Sequence, residues 1–284
     1  TESAGSDGVA RLGSVAAARA HFGALLGAIN VCGQPNETVL AQEYLAGVEY
    51  CVDHVSRGGK HKTAIVWACD KRAANGATAD IVYFGMRPLD PADPLYDPLV
   101  DYTRACLDAI GLREGASHAE VKVAPPRARD SELARMLRAP DCCLVEVNCR
   151  CHGNSGAWLP SARAATGATQ VSLVRDAALD GGAAFDAAPD RPRALRRAAM
   201  QVFLCSYFEG DIAATPGYEA IRALPSFHAA ELPLRPGDAL ARSVCCCTIA
   251  GQVQLVHDDP RQVAEDEAAI RALEREPGAL FELA

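Results

Sequence analysis

The sequence predicts an α+β fold, with a mixed, largely antiparallel sheet flanked by helices. Three observations carry that expectation. Two apolar, β-branched runs, 47–55 and 62–69, flank the glycine turn Arg57-Gly58-Gly59, as hairpin strands do. Two helix-period stretches, 14–29 and 99–110, lie on either side of that hairpin in the chain. Two short strand-like runs that carry acids, SHAEVKV at 117–123 and CCLVEVN at 142–148, come after.

Taken in order, the chain opens on a small-residue loop, Ser3 to Val9, whose Gly and Ser backbone can turn N–H groups toward an anion. It has neither the Lys-Ser/Thr of a phosphate loop nor the glycine spacing of a dinucleotide fingerprint, so a plain turn explains it as well. Ser14 can cap a helix over 14–29 with Val15, Ala18, Phe22, Leu25, Leu26 and Ile29 on one face. A turn at 33–36 leads to a predicted strand over 38–45, then the hairpin and a further strand at 81–86. A Pro/Asp-rich connector precedes helix 99–110, with Val100, Thr103, Cys106, Leu107 and Ile110 turned inward. Residues 125–140 read as a solvated insertion containing a short helix, and 158–166 and 169–178 as helices. Residues 180–193 have the composition of a linker. Strands are predicted beyond it at 201–207, 230–234, 242–250 and 253–257, with a final amphipathic helix at 261–273. The expected organisation is therefore 1–45, 46–180 and a β-rich unit over 181–284.

Composition narrows the function. With 284 residues, 49% hydrophobic and 23% charged, the chain resembles a water-soluble globular protein. No apolar run approaches the roughly 20 residues of a membrane span, and the cytoplasm is the expected location, with an organelle signal ahead of Thr1 as the alternative. The net charge of −8 with scattered basic residues argues against nucleic acid as a partner. The 12 cysteines include no C-x-x-C pair and fall largely in Val/Leu-rich runs, so most are expected to be buried thiols in a reducing compartment. Cys149-Arg150-Cys151-His152 supplies too few spaced ligands for a zinc centre.

The chemistry is expected where the acids lie. In an extended chain alternate side chains share a face, which puts Leu144, Glu146 and Asn148 together, and likewise His118, Glu120 and Lys122. If the two strands are neighbours, Glu120, Glu146 and Asn148 converge as oxygen ligands with open positions. That set suits Mg²⁺, which takes one or two carboxylates and leaves the rest of its shell to water and phosphates. Two ordinary strands with acids at their exposed ends would read the same way.

The ordered set SAGSDGV, QEYLAGVEY, a glycine-turned hairpin, a long helix, HAEVKV and LVEVNCRCHG resembles the ATP-grasp superfamily, and within it carboxylate–amine ligases similar to the L-amino-acid (dipeptide) ligases. The resemblance covers roughly residues 1–175 by motif, and AAIRALEREPGALFEL looks like the C-terminal region of the same ligases. It implies a partial small lid and hinge over 1–45, a central metal- and nucleotide-binding unit, ATP and Mg²⁺ (or Mn²⁺) as cofactors, and a small carboxylate and amine as substrates. Ser3, Ala4, Gly5, Ser6 and Gly8 match a phosphate-covering loop. Gln42, Glu43, Tyr44 and Leu45 match the adenine hinge, and Glu49 a position that holds ribose hydroxyls. Glu120, Glu146 and Asn148 match the metal ligands. Arg150 matches an arginine that steadies transferred phosphate, and His152 a position that handles substrate carboxylate and amino groups.

The implied reaction is attack of a carboxylate on the γ-phosphate of ATP, followed by displacement of phosphate from the acyl-phosphate by an amine. A non-catalytic ATP-binding module of a larger synthetase and an ATP-grasp carboxylase are the competing readings. One departure stands out. The family places lysines ahead of the glycine-rich loop, and Lys60, Lys62, Lys71 and Lys122, the chain's four, all come after it. The expectation is a truncated chain, feeble by itself, from an active parent; whether it pairs as a homodimer is left open.

Overall fold

A computed structural model of the chain describes residues 4–77, 79–124 and 142–284. The predicted insertion at 125–140 and Ser3 lie outside the described residues. The central hairpin is β1 (Val48–Arg57) and β2 (Lys60–Arg72). Gly58 and Gly59 close it with φ of +59° and +79°. A side chain in that left-handed region costs about 1–2 kcal/mol, and two such residues give the turn the twist that the strands need.

The sheet grows outward from this hairpin. β4 (Gly115–Val123) pairs with β1, and β5 (Cys142–Asn148) forms the edge beyond it. On the other side β3 (Val82–Pro88) pairs with β2, followed by β6 (Ala198–Leu204), β10 (Gly251–His257) and β8 (Phe227–Glu231). The order is β5-β4-β1-β2-β3-β6-β10-β8, and every described pair in it is antiparallel. β7 (Gly210–Ala214), β9 (Ala239–Leu240) and β11 (Glu282–Leu283) make a small second sheet.

Strands from beyond residue 180 thus extend the same sheet as the hairpin. The seam is narrow: Gly85 faces Val202 and Met86 faces Gln201. A Cβ on Gly85 would fall 2.5 Å from Met200 Cε, so the absent side chain admits the neighbouring strand. Arg271, on helix Pro260–Arg275, stitches the join by donating to the carbonyls of Phe203 (3.0 Å) and Phe84.

Helices cover both faces. The helix Val15–Leu25 is α1 and Tyr96–Ala109 is α2. Leu159–Thr166, Gln170–Ala178 and Ala183–Ala187 are α3, α4 and α5; Gly217–Arg222 and Pro260–Arg275 are α6 and α7. α2 lays Tyr96, Leu99 and Val100 on Tyr50, Val52, Val66 and Val121. On the opposite face Trp158, Ala162, Leu173 and Phe185 pack with Cys51, Ile65, Trp67 and Cys69.

Several expectations need correction. Residues 38–45 form no strand; Leu40 is exposed and no described strand edge lies beside them to complete a ladder. Residues 242–250 are a loop with a 3-10 turn at Cys246–Thr248, because the Thr248 hydroxyl accepts from the Val244 (2.8 Å) and Cys245 (3.1 Å) N–H groups and so replaces a ladder. The stretch with linker composition carries α5, whose Phe185 is fully buried. α1 is capped by Ser14 as expected, but it ends at Leu25 and buries nothing among the described residues.

Cysteine burial also differs. Only Cys51, Cys69 and Cys205 are buried, and all twelve are free thiols. Cys245–Cys247 lie in the loop just described, and Cys142 and Cys143 on the edge strand.

Replacing Phe185 tests whether this stretch belongs to the core. Phe185→Ala should cost about 3–5 kcal/mol, as for a fully buried aromatic, read as a lowered urea midpoint at unchanged slope. A shift within the range of surface substitutions, about 0.5 kcal/mol, would return the segment to a linker.

Candidate active site

One face of the sheet gathers the polar side chains that the strands cannot hide elsewhere. In β1 the row Glu49, Cys51, Asp53 points to a single face by the two-residue period. Opposite these in β4 stand Lys122, Glu120 and His118, and opposite Glu120 and His118 in β5 stand Glu146 and Asn148. The two acid-bearing strands are neighbours, as expected, with Glu120 opposite Glu146 and His118 opposite Asn148. Leu144 departs from the expected parity. A bulge puts Val121 opposite Leu144 and leaves Val145 unmatched, so Leu144 drops to the α2 face beside Val121 while Glu146 stays with Glu120.

Asp53 anchors the inner end of the row. It is fully buried, and its two oxygens take three donors: His118 Nδ1 at 2.8 Å on Oδ1, and Trp67 Nε1 and His152 Nδ1, both at 3.0 Å, on Oδ2. Burial alone would raise its pKa; the His152 charge and the bonds from both imidazoles outweigh that and hold it well below the carboxylate range. His118 reaches on to Glu120, with Nε2 at 3.5 Å from Oε1. Burial works against its charge, yet the hydrogen bonds to Asp53 and Glu120 lift its pKa to about 10, so it stands as an imidazolium between two carboxylates. Burial, opposed by Asp53, pushes the neighbouring His152 below its ordinary value.

The outer end is held by Lys71. Its Nζ lies 3.1 Å from Glu120 Oε2, abuts Glu49 Oε1, and sits 4.2 Å from the centre of the Tyr83 ring. Burial disfavours the ammonium, but the field of Tyr83, Glu120 and Glu49 raises its pKa well above the usual lysine value. Glu120 is the carboxylate kept ionised: burial is overcome by the His118 bond and the Lys71 charge, and its pKa falls far below normal. Glu49 goes the other way. Burial, followed by the proximity of Glu120, lifts it from 4.5 to about 7 against the pull of Lys71.

The flanking segments converge on the same region. The Gly5 carbonyl accepts the Cys246 thiol at 2.9 Å, and burial pushes that thiol up to about 12 while the Lys71 charge opposes the shift. Gly5, Ser6 and Gly8 take positive φ in the tight turns that this loop makes, and Ala4 is exposed beside them. Tyr44 is clamped by the Arg11 guanidinium 4.1 Å from its ring centre and by its own hydroxyl on Asp80 Oδ2 (3.0 Å). Lys122 Nζ donates to the Leu45 carbonyl at 3.0 Å. Gln42 and Glu43 are exposed and join no part of the cluster.

Glu146 and Asn148 are tied to each other, Asn148 Nδ2 donating to Glu146 Oε1 at 2.7 Å, with Glu146 exposed and Asn148 half-buried. Arg150 is exposed and donates to the Cys151 carbonyl at 2.9 Å. His152 is fixed at both ends: its N–H donates to Gln170 Oε1 (2.8 Å), and Gln170 Nε2 donates to the carbonyls of His54 and Ser117, locking α4 to β1 and β4.

From the sequence, Asp53 and Lys71 read equally as surface charges or as functional groups, His118 only shares a face with Glu120, and Tyr83 is not singled out. The signal was the alternation of Glu49, Cys51 and Asp53 in a strand buried on both faces, where a carboxylate demands a partner.

Among the described residues, three groups of side chains lie close enough to share an ion: Glu49–Cys51–Cys69, Cys51–His118–Glu120 and Asp53–His118–His152. The first two surround the space that the Lys71 ammonium already neutralises, and Asp53 is saturated by its donors. Glu120, held by Lys71 and His118, stands opposite the exposed Glu146, which accepts from Asn148, and oxygen donors of this kind suit a hard divalent cation.

No family model matches the chain. It is 25% identical over 274 residues to dapdiamide A synthase of Enterobacter agglomerans, across 96% of this chain and 60% of that protein. In structure it matches the L-amino acid ligase of Bacillus licheniformis with a TM-score of 0.61 at 14% identity, across 81% of this chain and 53% of that one. The phosphoribosylglycinamide synthetase of Anaerococcus prevotii follows at a TM-score of 0.57 and 12% identity, across 85% and 55%. The fold is thus that of the ATP-grasp ligases, an α+β architecture built on a large antiparallel sheet. The chain spans 60% of the curated relative's length.

Glu49 gives a pH test of this electrostatic arrangement. Its pKa is higher folded than unfolded, so the folded state holds a proton that the unfolded state has lost between about 4.5 and about 7. Stability from this residue is complete below pH 4.5 and is lost as pH rises through 7. Glu49→Gln, which cannot lose that proton, should match wild type in Tm at pH 5 and exceed it at pH 8. A difference that does not change with pH would contradict the assignment.

Proposed function

We propose that the chain is the catalytic core of an ATP- and Mg²⁺-dependent carbon–nitrogen ligase that joins a small carboxylate to an amine, both resembling amino acids. The observation that carries this reading is the register that sets Glu120 opposite Glu146 and Asn148 opposite His118, on the face that also holds Lys71. Similarity to dapdiamide A synthase and to the L-amino acid ligase fold supports the choice of amide formation over carboxylation.

Glu120, Glu146 and Asn148 would hold the cation, which supplies neutralising charge to the triphosphate when bound. Lys71, charged and flanked by acids, is placed to meet an anionic oxygen if the acids turn to metal. Arg150, exposed two residues beyond the end of β5, offers a planar fork for phosphate or acyl-phosphate oxygens. The hinge at Gln42, Glu43, Tyr44 and Leu45 would read adenine with its main chain, and the Ala4–Gly8 turns would close over phosphates. Phosphoryl transfer needs mainly such positioning and charge compensation. Exclusion of water by a closed loop would protect an acyl-phosphate from hydrolysis.

No helix among the described residues is long and apolar enough to cross a membrane, and we propose the cytoplasm as the compartment. Neither nucleic acid nor membrane is expected as a partner.

The test is ADP release from the longest natural polypeptide that contains this chain, over a panel of amino-acid pairs. Amine-dependent turnover is expected, and Glu120→Gln should lower it by on the order of 100-fold. Calorimetry adds a readout independent of turnover: ATP binding should need Mg²⁺ in wild type and lose that dependence in Glu120→Gln. ATP binding indifferent to metal, without amine-dependent ADP release, would favour a non-catalytic module.

A further inference from the structure

We infer that Asp53 is a positioning residue that holds His152 with its Nε2 edge free, and that His152 accepts the proton from the attacking ammonium in the second half of the reaction. The inference rests on the ligase reading above and deepens it. It starts from the fully buried Asp53 carboxylate, whose Oδ2 receives the His152 Nδ1 at 3.0 Å. With Asp53 ionised, that bond requires the proton on Nδ1 and makes Nε2 the acceptor of the neutral ring.

The ring has little freedom to turn. It is tilted against Trp158 at 5.2 Å between centres, lies edge-on to Trp67 at 6.0 Å and sits 4.2 Å from the His118 ring. The backbone is pinned through Gln170, and Trp158 Nε1 donates to the His152 and Gly153 carbonyls at 3.3 and 3.0 Å. Nε2 has no hydrogen-bond partner among the described residues. The side chain keeps 8% of its surface accessible.

The groups around His152 explain why it, and not its neighbour, takes this part. His118 also bonds Asp53, but its second nitrogen is engaged by Glu120. Bonded at both nitrogens, it has no free edge to offer. Its ring lies 4.2 Å from that of His152. Burial, opposed chiefly by Asp53, keeps His152 below its ordinary value.

The step balances as follows. An amine arrives as its ammonium, and His152 Nε2 takes one proton. The nitrogen lone pair then forms the C–N bond to the acyl carbon, and the C–O bond to phosphate breaks with its electron pair leaving on phosphate. Of the two remaining N–H protons one stays on the amide and one goes to the departing phosphate, while His152 returns its proton to water.

Hydroxylamine separates this step from the first, because at neutral pH it is largely unprotonated and attacks an acyl-phosphate without a base. The longest natural polypeptide containing the chain is assayed with ATP, Mg²⁺ and an amino-acid carboxylate, once with hydroxylamine and once with an amino-acid amine. His152→Gln and Asp53→Asn should each lower the amide-to-hydroxamate ratio by about 100-fold, the scale of one acid–base group. Imidazole should restore part of the amide in His152→Ala. Ring ¹⁵N shifts should show the Nδ1–H tautomer of His152 in wild type and its loss in Asp53→Asn.

An unchanged ratio, or an Nε2–H tautomer in wild type, overturns the inference while leaving the ligase reading intact. No hydroxamate from wild type overturns both. Should Asp53→Asn fail to fold, the His152→Gln ratio and the wild-type tautomer decide.

Discussion

A carboxylate with no access to water needs compensation from its neighbours, and Asp53 is where this structure meets that demand. Removing an ion from water costs several kcal/mol even after relaxation. Here two imidazoles and an indole supply the compensation, each from a different element: β4, β2 and the loop after β5. Meeting the demand draws those elements together, and Gln170 then ties α4 to β1, β4 and the loop after β5. The geometry of the site follows from neutralising one buried charge.

Outward along the same face the pattern repeats with different partners. Asp53, His118, Glu120, Lys71 and Glu49 alternate acid and base in a chain of contacts, so each charge is screened by the next. The acids respond unequally. Glu120, between two cations, stays ionised, while Glu49, with one cation and an acid beside it, is driven toward its protonated form.

Much of this was legible in the sequence because β-strand chemistry is periodic. SHAEVKV and CCLVEVN place their acids by parity, and the turn at Gly58-Gly59 fixes the register of the hairpin. The failures have physical causes too. The bulge at Val145 broke the parity that should have kept Leu144 beside Glu146, and a one-residue irregularity of this kind leaves no compositional mark. Nothing local marked Asp53 as a buried anchor, because its three donors lie 14, 65 and 99 residues away. The stretch at 180–193 read as a linker because Gly, Ala, Pro and Asp dominate it, yet one Phe with a core to enter outweighs that composition. The strand expected at 242–250 lost to a threonine hydroxyl that served the same N–H groups more locally.

The join between β3 and β6 bears on how such a chain can be inherited. Two facing residue pairs and the Arg271 guanidinium carry the sheet from one half to the other. A recombination break in the glycine- and proline-rich stretch before β6 would look harmless in the gene. It would strand β3 as a raw edge and leave the buried Arg271 without the Phe84 carbonyl that the other half contributes. Exchange of modules between related genes is therefore constrained to carry both halves, or to import a second half that brings its own arginine to the seam.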